Sequence, residues 1–460
     1  MSQPAKARWE DLQRAWMLRY RGANTATAEH DPLATIERDA KVVLRQASTN
    51  PPWLAIESAV GAFLRDVRGE VLLDLHGNNC HHIGYAHPDL IQALSDQMAN
   101  LPFVPRGLTN REVVAAAEQL AALWPYGPSV VAFVPGGSAA VELAIMLCRA
   151  HTGRFKTISF YGAYHGRSAG ALSLGGRPAD RSPRLGPLLP GALHVRPFYP
   201  LASEHSFDAK ASAWRSFEDL RHCLEQEGGV AAVFVEPVRN GPFVPPDWYW
   251  PAVRELCDRH GTLFVADEIP TGLGKTGRMF ATEHFDLRPD ITLVGKSLGG
   301  ATVPVAAVIA SAALNTTADL NLGYFTYERS PLMAKAASVV LDIIVRDDLV
   351  GRSARVGAAA ARKLQQLAAR QPAIQEVRAA GLMLGVRVAA PNAERSPTLA
   401  HQTFQECMRR GLLLQYPSGA RLMLSFPLIV DETLVDQSLD VFAEAVDAAV
   451  QSIGSVPGNA

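Results

Sequence analysis

Short apolar runs alternate with helical patterns between residues 105 and 330, and this alternation limits the fold more than any other feature. The helical patterns cover 112–124, 138–151 and 250–260. The apolar runs are Val130–Val134, Ala231–Val235, Leu263–Ala266, Ile291–Val294 and Val305–Ala310. Uninterrupted apolar runs are typical of strands that are buried on both faces of a parallel sheet. The pattern predicts a doubly wound, mostly parallel α/β domain.

The segments on either side of this domain predict a smaller α+β domain that is built from both termini. Residues 1–50 are charged and alanine-rich, as expected of a helical arm, and strand signals follow at 61–74. Two long helical patterns and further strand signals occupy the chain after Pro331. We therefore predict the N-terminal arm and part of the small domain at 1–75, the large domain at 76–330, and the remaining small domain at 331–460.

A lysine and an aspartate lie at the ends of two of the apolar runs. Lys296 follows Ile291–Val294 and one glycine, and Asp267 ends the preceding apolar run. A lysine at the buried end of a strand is unfavourable unless it is neutral or covalently used. Open α/β sheets bind ligands at the carboxyl ends of their strands. The two residues indicate pyridoxal phosphate (PLP), held by Lys296 as a Schiff base, with Asp267 keeping its ring nitrogen protonated.

Two glycine-containing segments fit the same cofactor. The first, Pro135-Gly-Gly-Ser138, joins an apolar run to a helical pattern, and a helix N-terminus of this kind can hold a phosphate. It is equally a common tight turn with a serine N-cap. The second segment contains Tyr164, whose ring can lie flat against a heteroaromatic ring, and Tyr161, which more often fills a core.

These segments, in this order, resemble the class III aminotransferases of PLP fold type I over about residues 45–445. The resemblance implies a homodimer or a dimer of dimers, in which Thr326 reaches the phosphate of the neighbouring subunit's cofactor. It also implies that Lys296 and Asp267 are catalytic. The cofactor-binding residues that it implies are Gly137, Ser138, Tyr164, His165, Glu236, Asp267, Lys296 and Thr326.

The chain departs from the family pattern at two positions that bear on the substrate. Pro270 replaces the glutamine that commonly contacts the cofactor's phenolic oxygen, and it cannot donate a hydrogen bond. Met423 occupies the position of the arginine that commonly grips a substrate carboxylate. Other residues could hold an anionic substrate, although His81 and His82 equally fit a packing role beneath Tyr85. The candidates are Arg329, Arg421, His81, His82 and the arginines of the 177–184 loop.

Three functions are compatible with the sequence. An ω-aminotransferase would pass the amino group of an amine to a keto acid, with Lys296 moving the proton. A PLP-dependent ammonia-lyase would expel a β leaving group and release an aldehyde and ammonia without an acceptor. A non-catalytic scaffold is disfavoured because Lys296 and Asp267 are both present.

We expect the lyase, because a reaction without a keto acid needs no second carboxylate site. The segments 75–85 and 267–280 also resemble a branch of the family that includes the phosphonate-pathway ammonia-lyases. Those enzymes act on 1-hydroxy-2-aminoethylphosphonate and give phosphonoacetaldehyde. The ω-aminotransferase remains the alternative.

Composition argues against other classes of partner. A net charge of −1 over 460 residues provides no basic excess for binding nucleic acid. No apolar run reaches the roughly 18 residues that a membrane-spanning helix needs. The five cysteines have no CxxC spacing, which favours reduced thiols in a cytoplasmic enzyme and no metal site. We therefore expect a small-molecule amine as the partner, with no nucleic acid and no membrane.

Overall fold

The computed structural model describes residues 10–16, 32–46, 54–200 and 208–454. The described residues form two compact units. The large unit is Gln92–Arg355, and the small unit combines the residues up to Ile91 with those from Val356 onward. The sequence predicts the large domain at 76–330. The large unit begins 16 residues after residue 76 and ends 25 residues after residue 330. One reason is that helix α9, Pro331–Arg346, packs against α4, Arg111–Leu123, within the large unit.

A seven-stranded sheet forms the centre of the large unit, in the order β4-β10-β9-β8-β7-β5-β6. Strands β6, β5, β7, β8 and β9 run parallel, whereas β10 is antiparallel to both β4 and β9. The five predicted apolar runs are all strands, and β5 and β6 are additional to them. The strands are β4 Ser129–Val134, β5 Lys156–Phe160, β6 Ala192–Val195, β7 Val230–Val235, β8 Leu263–Asp267, β9 Ile291–Val294 and β10 Ala306–Ser311.

Helices cover this sheet, and local capping sets where several of them begin and end. The Asn110 side chain accepts a hydrogen bond from the N–H of Val113 and so starts α4. Gly153 ends α5 with a left-handed φ of 66°, which glycine adopts without strain. Apolar residues of α5 pack with those of β7, β8, β9 and β10 to form the core. The remaining helices are α5 Gly137–Thr152, α6 Ala169–Leu174, α7 Ala209–Glu227 and α8 Tyr249–His260.

The small unit contains two sheets, ordered β1-β2-β3-β13 and β11-β12-β14. Strand β13 pairs in parallel with β3, so the C-terminal part of the chain completes a sheet that the N-terminal part begins. Trp16 of α1, residues 10–16, is fully buried and donates to the Gly411 carbonyl. The strands are β1 Ile56–Val60, β2 Phe63–Asp66, β3 Val71–Leu75, β11 Ile374–Ala380, β12 Met383–Val388, β13 Leu412–Leu414 and β14 Arg421–Ser425. The other helices of this unit are α2 Pro32–Val42, α11 Ser396–Arg409 and α12 Glu432–Gly454, while α3 Pro88–Asn100 and α10 Leu349–Arg370 each belong partly to the small unit and partly to the large one. Among the described residues, no helix is long and apolar enough to cross a membrane.

Gly357 of α10 is a position where helix propensity and packing oppose each other. A Cβ on Gly357 would lie 2.1 Å from the carbonyl oxygen of Gly381, in the turn between β11 and β12. Gly→Ala inside a helix normally stabilises by roughly 0.5–1 kcal/mol. We expect Gly357→Ala to destabilise instead, by about 1–3 kcal/mol, because backbone atoms must move. Urea unfolding measures the change in the free energy of unfolding. The control is Ala358→Gly at the exposed neighbouring position, which measures the effect of helix propensity alone. A Gly357→Ala variant that is more stable than the wild type would contradict the tight contact between Gly357 and Gly381.

Candidate functional site

Three polar residues lie at the carboxyl ends of adjacent parallel strands in the large unit. Glu236 follows β7, Asp267 ends β8, and Lys296 follows β9 after Gly295. Because β7, β8 and β9 are neighbours, these ends share one edge of the sheet. This is the edge at which open α/β sheets place their ligands.

Asp267 is a buried carboxylate with two donors. It is 2% exposed, and its Oδ2 lies 2.8 Å from Nδ1 of His165. A carboxylate only accepts, so the His165 Nδ1 carries the hydrogen, while its Nε2 lies 3.1 Å from the Ser159 hydroxyl. The Asp267 Oδ1 accepts from the N–H of Ile269 at 3.1 Å. The position of the carboxylate is thereby fixed on both oxygens.

Lys296 has an unusual backbone conformation. It is half-buried, and its φ of 47° lies in the left-handed region that residues other than glycine rarely adopt. It opens a short turn, Lys296–Gly299, directly beyond the sheet. Backbone strain of this kind concentrates at functional sites, where the surrounding structure holds it in place.

The turn before α5 leaves an open helix N-terminus. Gly136 is the N-cap residue and supplies no side-chain cap, and a Cβ built on it meets nothing within 4 Å. The N–H groups of the first helical turn therefore face space that an anion can enter. Ser138 also belongs to this turn, and its hydroxyl accepts from the N–H of Arg167 at 3.0 Å.

Ile269 shows that these segments converge. A Cβ on Gly137 would lie 2.9 Å from the Cδ1 of Ile269, and one on Gly295 would lie 3.5 Å from its Cγ2. Ile269 therefore lies between the open helix N-terminus and the residue that precedes Lys296. The Asp267 segment, Lys296 and the α5 turn thus form one site.

Glu236 is paired with a residue that the sequence analysis missed, Arg239. The Glu236 side chain is buried and that of Arg239 is half-buried, with 3.0 Å between Oε1 and Nη1. Glu236 also accepts from the N–H of Tyr164 at 3.3 Å, and Arg239 donates to the Gly162 carbonyl at 2.8 Å. Burial lowers the pKa of Arg239, but the charges of Glu236 and Tyr199 and the hydrogen bonds to them together outweigh this, and the pKa lies above its usual range. The i,i+3 spacing of the pair was the signal available in the sequence.

Glu268, next to Asp267, has hydrogen-bond partners that indicate a structural role. It is fully buried and accepts from the backbone N–H groups of Ala281 and Thr282 and from the Thr282 hydroxyl. Burial raises the pKa of its carboxyl to about 7, while these hydrogen bonds act in the opposite direction. Glu268 therefore holds the segment around 281 against the end of β8.

The segment that contains Thr326 and Arg329 is exposed in the single subunit, although it is firmly held. Glu328 accepts from Arg106 Nε at 2.5 Å, and Arg106 also donates to the Gly323 carbonyl at 2.9 Å. The Asn110 side chain donates to the Arg329 carbonyl at 3.0 Å. The side chains of Thr326 and Arg329 are exposed.

The arginines of the 177–184 loop lie in the large unit, whereas the other substrate candidates lie in the small unit. His81 and His82 are buried there, and the His81 ring lies 5.5 Å from that of Tyr85. Arg421 begins β14 and pairs in register with Arg387 of β12. Met423, two residues further along β14, is 7% exposed.

These features fit pyridoxal phosphate. The open N-terminus of α5 can take a phosphate, and Tyr164 can lie against the ring. Asp267 can face the ring nitrogen, and Lys296 can bind the aldehyde carbon. Among the residues described, no group of three or more His, Cys, Asp or Glu side chains is placed to hold a metal ion.

Comparison with known proteins identifies the family. The chain matches the family described as aminotransferase class-III over residues 44–446. It is 34% identical over 430 residues to the (R)-1-hydroxy-2-aminoethylphosphonate ammonia-lyase of Vibrio splendidus, covering 90% of each chain. It is 33% identical over 405 residues to the putrescine aminotransferase of Pectobacterium atrosepticum, covering 86% of this chain and 82% of that one.

The architecture agrees with this match. The structure is similar to that of an (S)-enantioselective omega-transaminase from Thermomicrobium roseum, with a TM-score of 0.83, 28% identity, and coverage of 93% of this chain and 100% of that one. The expected PLP fold type I and the expected cofactor are therefore confirmed. The protein is a PLP-dependent enzyme, and the chain belongs to the class III aminotransferase family.

Proposed function

We propose that this enzyme is an ammonia-lyase that acts on a small aminophosphonate such as (R)-1-hydroxy-2-aminoethylphosphonate. The observation that carries the proposal is Met423, a buried apolar side chain where an aminotransferase of the family commonly has its carboxylate-binding arginine. A lyase has no keto-acid substrate and so needs no such arginine. The similarity to the Vibrio splendidus lyase, over 90% of each chain, supports the substrate class.

The proposed reaction balances without an oxidant or an amino acceptor. A proton leaves the carbon that bears the amine, and hydroxide departs from the neighbouring carbon. Water then replaces the amino group, so that 1-hydroxy-2-aminoethylphosphonate gives phosphonoacetaldehyde and ammonia. Bound PLP supplies the electron sink for the C–H bond that breaks.

Lys296 and Asp267 have separate roles in this proposal. Lys296 would hold the cofactor covalently, and its Nζ would accept the proton from the substrate carbon. The Asp267 carboxylate, held by His165 and the Ile269 N–H, stabilises positive charge on the cofactor's ring nitrogen.

The remaining contacts are proposed to hold the cofactor and the substrate. The turn at Gly137 and Ser138 binds the phosphate, and Tyr164, set in place by Glu236, covers the ring. Thr326 completes the phosphate site of a second subunit, so we propose a homodimer or a dimer of dimers. Arg329, exposed in the same segment, is the first candidate for the phosphonate, ahead of Arg421, His81 and His82.

An aminotransferase that acts on an ω-amino acid or amine is the alternative. It is favoured by the putrescine aminotransferase of Pectobacterium atrosepticum and by the omega-transaminase structure from Thermomicrobium roseum. Both reactions begin with the same proton transfer at Lys296. They differ in whether a leaving group departs from the neighbouring carbon or the amino group is passed on to a keto acid.

The presence of a leaving group on the substrate distinguishes the two reactions. We expect (R)-1-hydroxy-2-aminoethylphosphonate to release ammonia and an aldehyde in equal amounts with no keto acid present. The matched control is 2-aminoethylphosphonate, which lacks the hydroxyl and should release no ammonia. Ammonia and aldehyde are measured with and without pyruvate. Turnover that occurs only with pyruvate would show that the enzyme is an aminotransferase.

Lys296→Ala should lower kcat by at least roughly 10²–10⁴-fold, because it removes the group that moves the proton. Steady-state kinetics and the visible absorbance of the purified protein measure this. Lys156→Ala is the control, since Lys156 forms only a surface ion pair with Glu227. A Lys296→Ala enzyme within tenfold of wild type would disprove the assignment.

Asp267→Asn should keep the fold and lower kcat by on the order of 10²-fold, because a neutral amide no longer stabilises the ring cation. The control is Asp290→Asn, because Asp290 precedes β9 and only binds Arg254 and the N–H of Phe264. That change should lower the melting temperature with kcat unchanged. If Asp267→Asn behaved in the same way, Asp267 would be a structural residue.

A further inference from the structure

An ionic cluster that the sequence analysis did not identify lies beside Tyr164. Asp180, in the turn Pro178–Arg181, is fully buried. Its two oxygens accept from Arg177, at 2.8 Å from Nε and 3.0 Å from Nη2, and Arg167 Nη1 lies 3.1 Å from Oδ1. A buried carboxylate needs such partners, since an unpaired one is strongly unfavourable. The cluster carries a net charge of +1.

Arg177 is held in a plane and lies over the Tyr164 ring. The two parallel hydrogen bonds to Asp180 fix the orientation of the guanidinium group. Its Cζ lies 4.2 Å from the centre of the Tyr164 ring, within the range of a cation–π interaction, whereas that of Arg167 lies 6.0 Å away. Arg177 therefore covers one face of the Tyr164 ring.

The backbone holds the two residues at this distance. The N–H of Gly176 donates to the Ala163 carbonyl at 3.0 Å, directly between the segments that carry Arg177 and Tyr164. A Cβ on Gly176 would lie 2.1 Å from the Phe160 carbonyl oxygen, so the segments are in close contact. Glu236 and Arg239 hold the opposite side of the same segment through the Tyr164 N–H and the Gly162 carbonyl.

We infer that Asp180 and Arg177 are positioning residues that fix the plane of the Tyr164 ring for stacking on the cofactor. The inference rests on the proposed function, because it takes Tyr164 as the ring that covers PLP. Asp180 holds Arg177, Arg177 holds one face of the ring, and the other face is kept ready for the ligand. The ring is then already ordered before the cofactor binds. Binding is stronger because less conformational entropy is lost when the complex forms.

A double-mutant cycle on the full-length chain tests this inference. PLP is titrated into apoenzyme, and the Kd is measured by protein fluorescence. The variants are Arg177→Met, Tyr164→Ala and the two combined, with Arg196→Met as the control. Arg196 is a similarly exposed arginine of the large unit that pairs with Asp219. Melting temperatures report any loss of fold, and kcat and KM are measured separately for each variant.

We expect Arg177→Met to raise the Kd for PLP by roughly twofold to tenfold, because the freed Tyr164 ring must then be ordered when the cofactor binds. In the Tyr164→Ala background the same change should have no effect, because the ring through which Arg177 acts is gone. Asp180→Asn should resemble Arg177→Met. Since Asp180 is buried and its variant can fail to fold, the Arg177 cycle decides the matter by itself.

The remaining outcomes separate this inference from the proposed function. If Tyr164→Ala leaves the Kd unchanged, Tyr164 does not cover the cofactor, and both its proposed role and this inference fail, while the lyase reaction is tested separately by the release of ammonia without a keto acid. If Tyr164→Ala weakens binding but Arg177→Met does not, only the positioning role fails. Equal effects of Arg177→Met in both backgrounds, with a lowered melting temperature, would show that Arg177 only stabilises the loop.

Discussion

The hydrogen bond between Asp267 and His165 determines how the rest of the site is arranged. Asp267 ends β8 in the middle of the sheet, where almost no solvent reaches it. Its charge needs buried donors, and His165 comes from the segment after β5, on the far side of β7. That segment must therefore cross the end of β7, where the His165 ring packs on Phe234 at 6.2 Å. The same crossing brings Tyr164 and Gly166 to the site.

Much of the site could be predicted from the sequence, because strand ends are visible there. An apolar run that stops at Asp267 or just before Lys296 marks the end of a strand, and parallel strands end at one edge. The turn at Gly137 could be predicted for the same reason, because it follows the end of an apolar run. The roles proposed for these residues remain predictions, although the structure brings them together around Ile269.

Parts of the fold were missed for physical reasons. Strand β5 contains lysine, threonine and serine, so it has no continuous apolar run, yet Thr157 and Ser159 are buried within it. The direction of β10 could not be deduced either. It is antiparallel, but burial on both faces removes the alternation of polar and apolar residues that usually reveals such a strand. The Glu236–Arg239 and Arg177–Asp180 pairs are local in sequence, but the groups that they hold are not, since Arg239 reaches a carbonyl 77 residues away and Arg177 lies over the ring of Tyr164.

The choice between lyase and aminotransferase depends on residues away from the cofactor. The roles proposed for Lys296 and Asp267 in the first proton transfer are the same in both reactions, so their geometry does not discriminate between them. Discrimination has to come from what holds the distal end of each substrate. An arginine moved from position 423 to 421 stays on the same face of β14 but shifts by about 7 Å, which is longer than a guanidinium hydrogen bond can bridge. A keto acid that relies on an arginine at 423 would therefore lose its anchor, whereas a substrate that carries its own leaving group needs no keto acid at all.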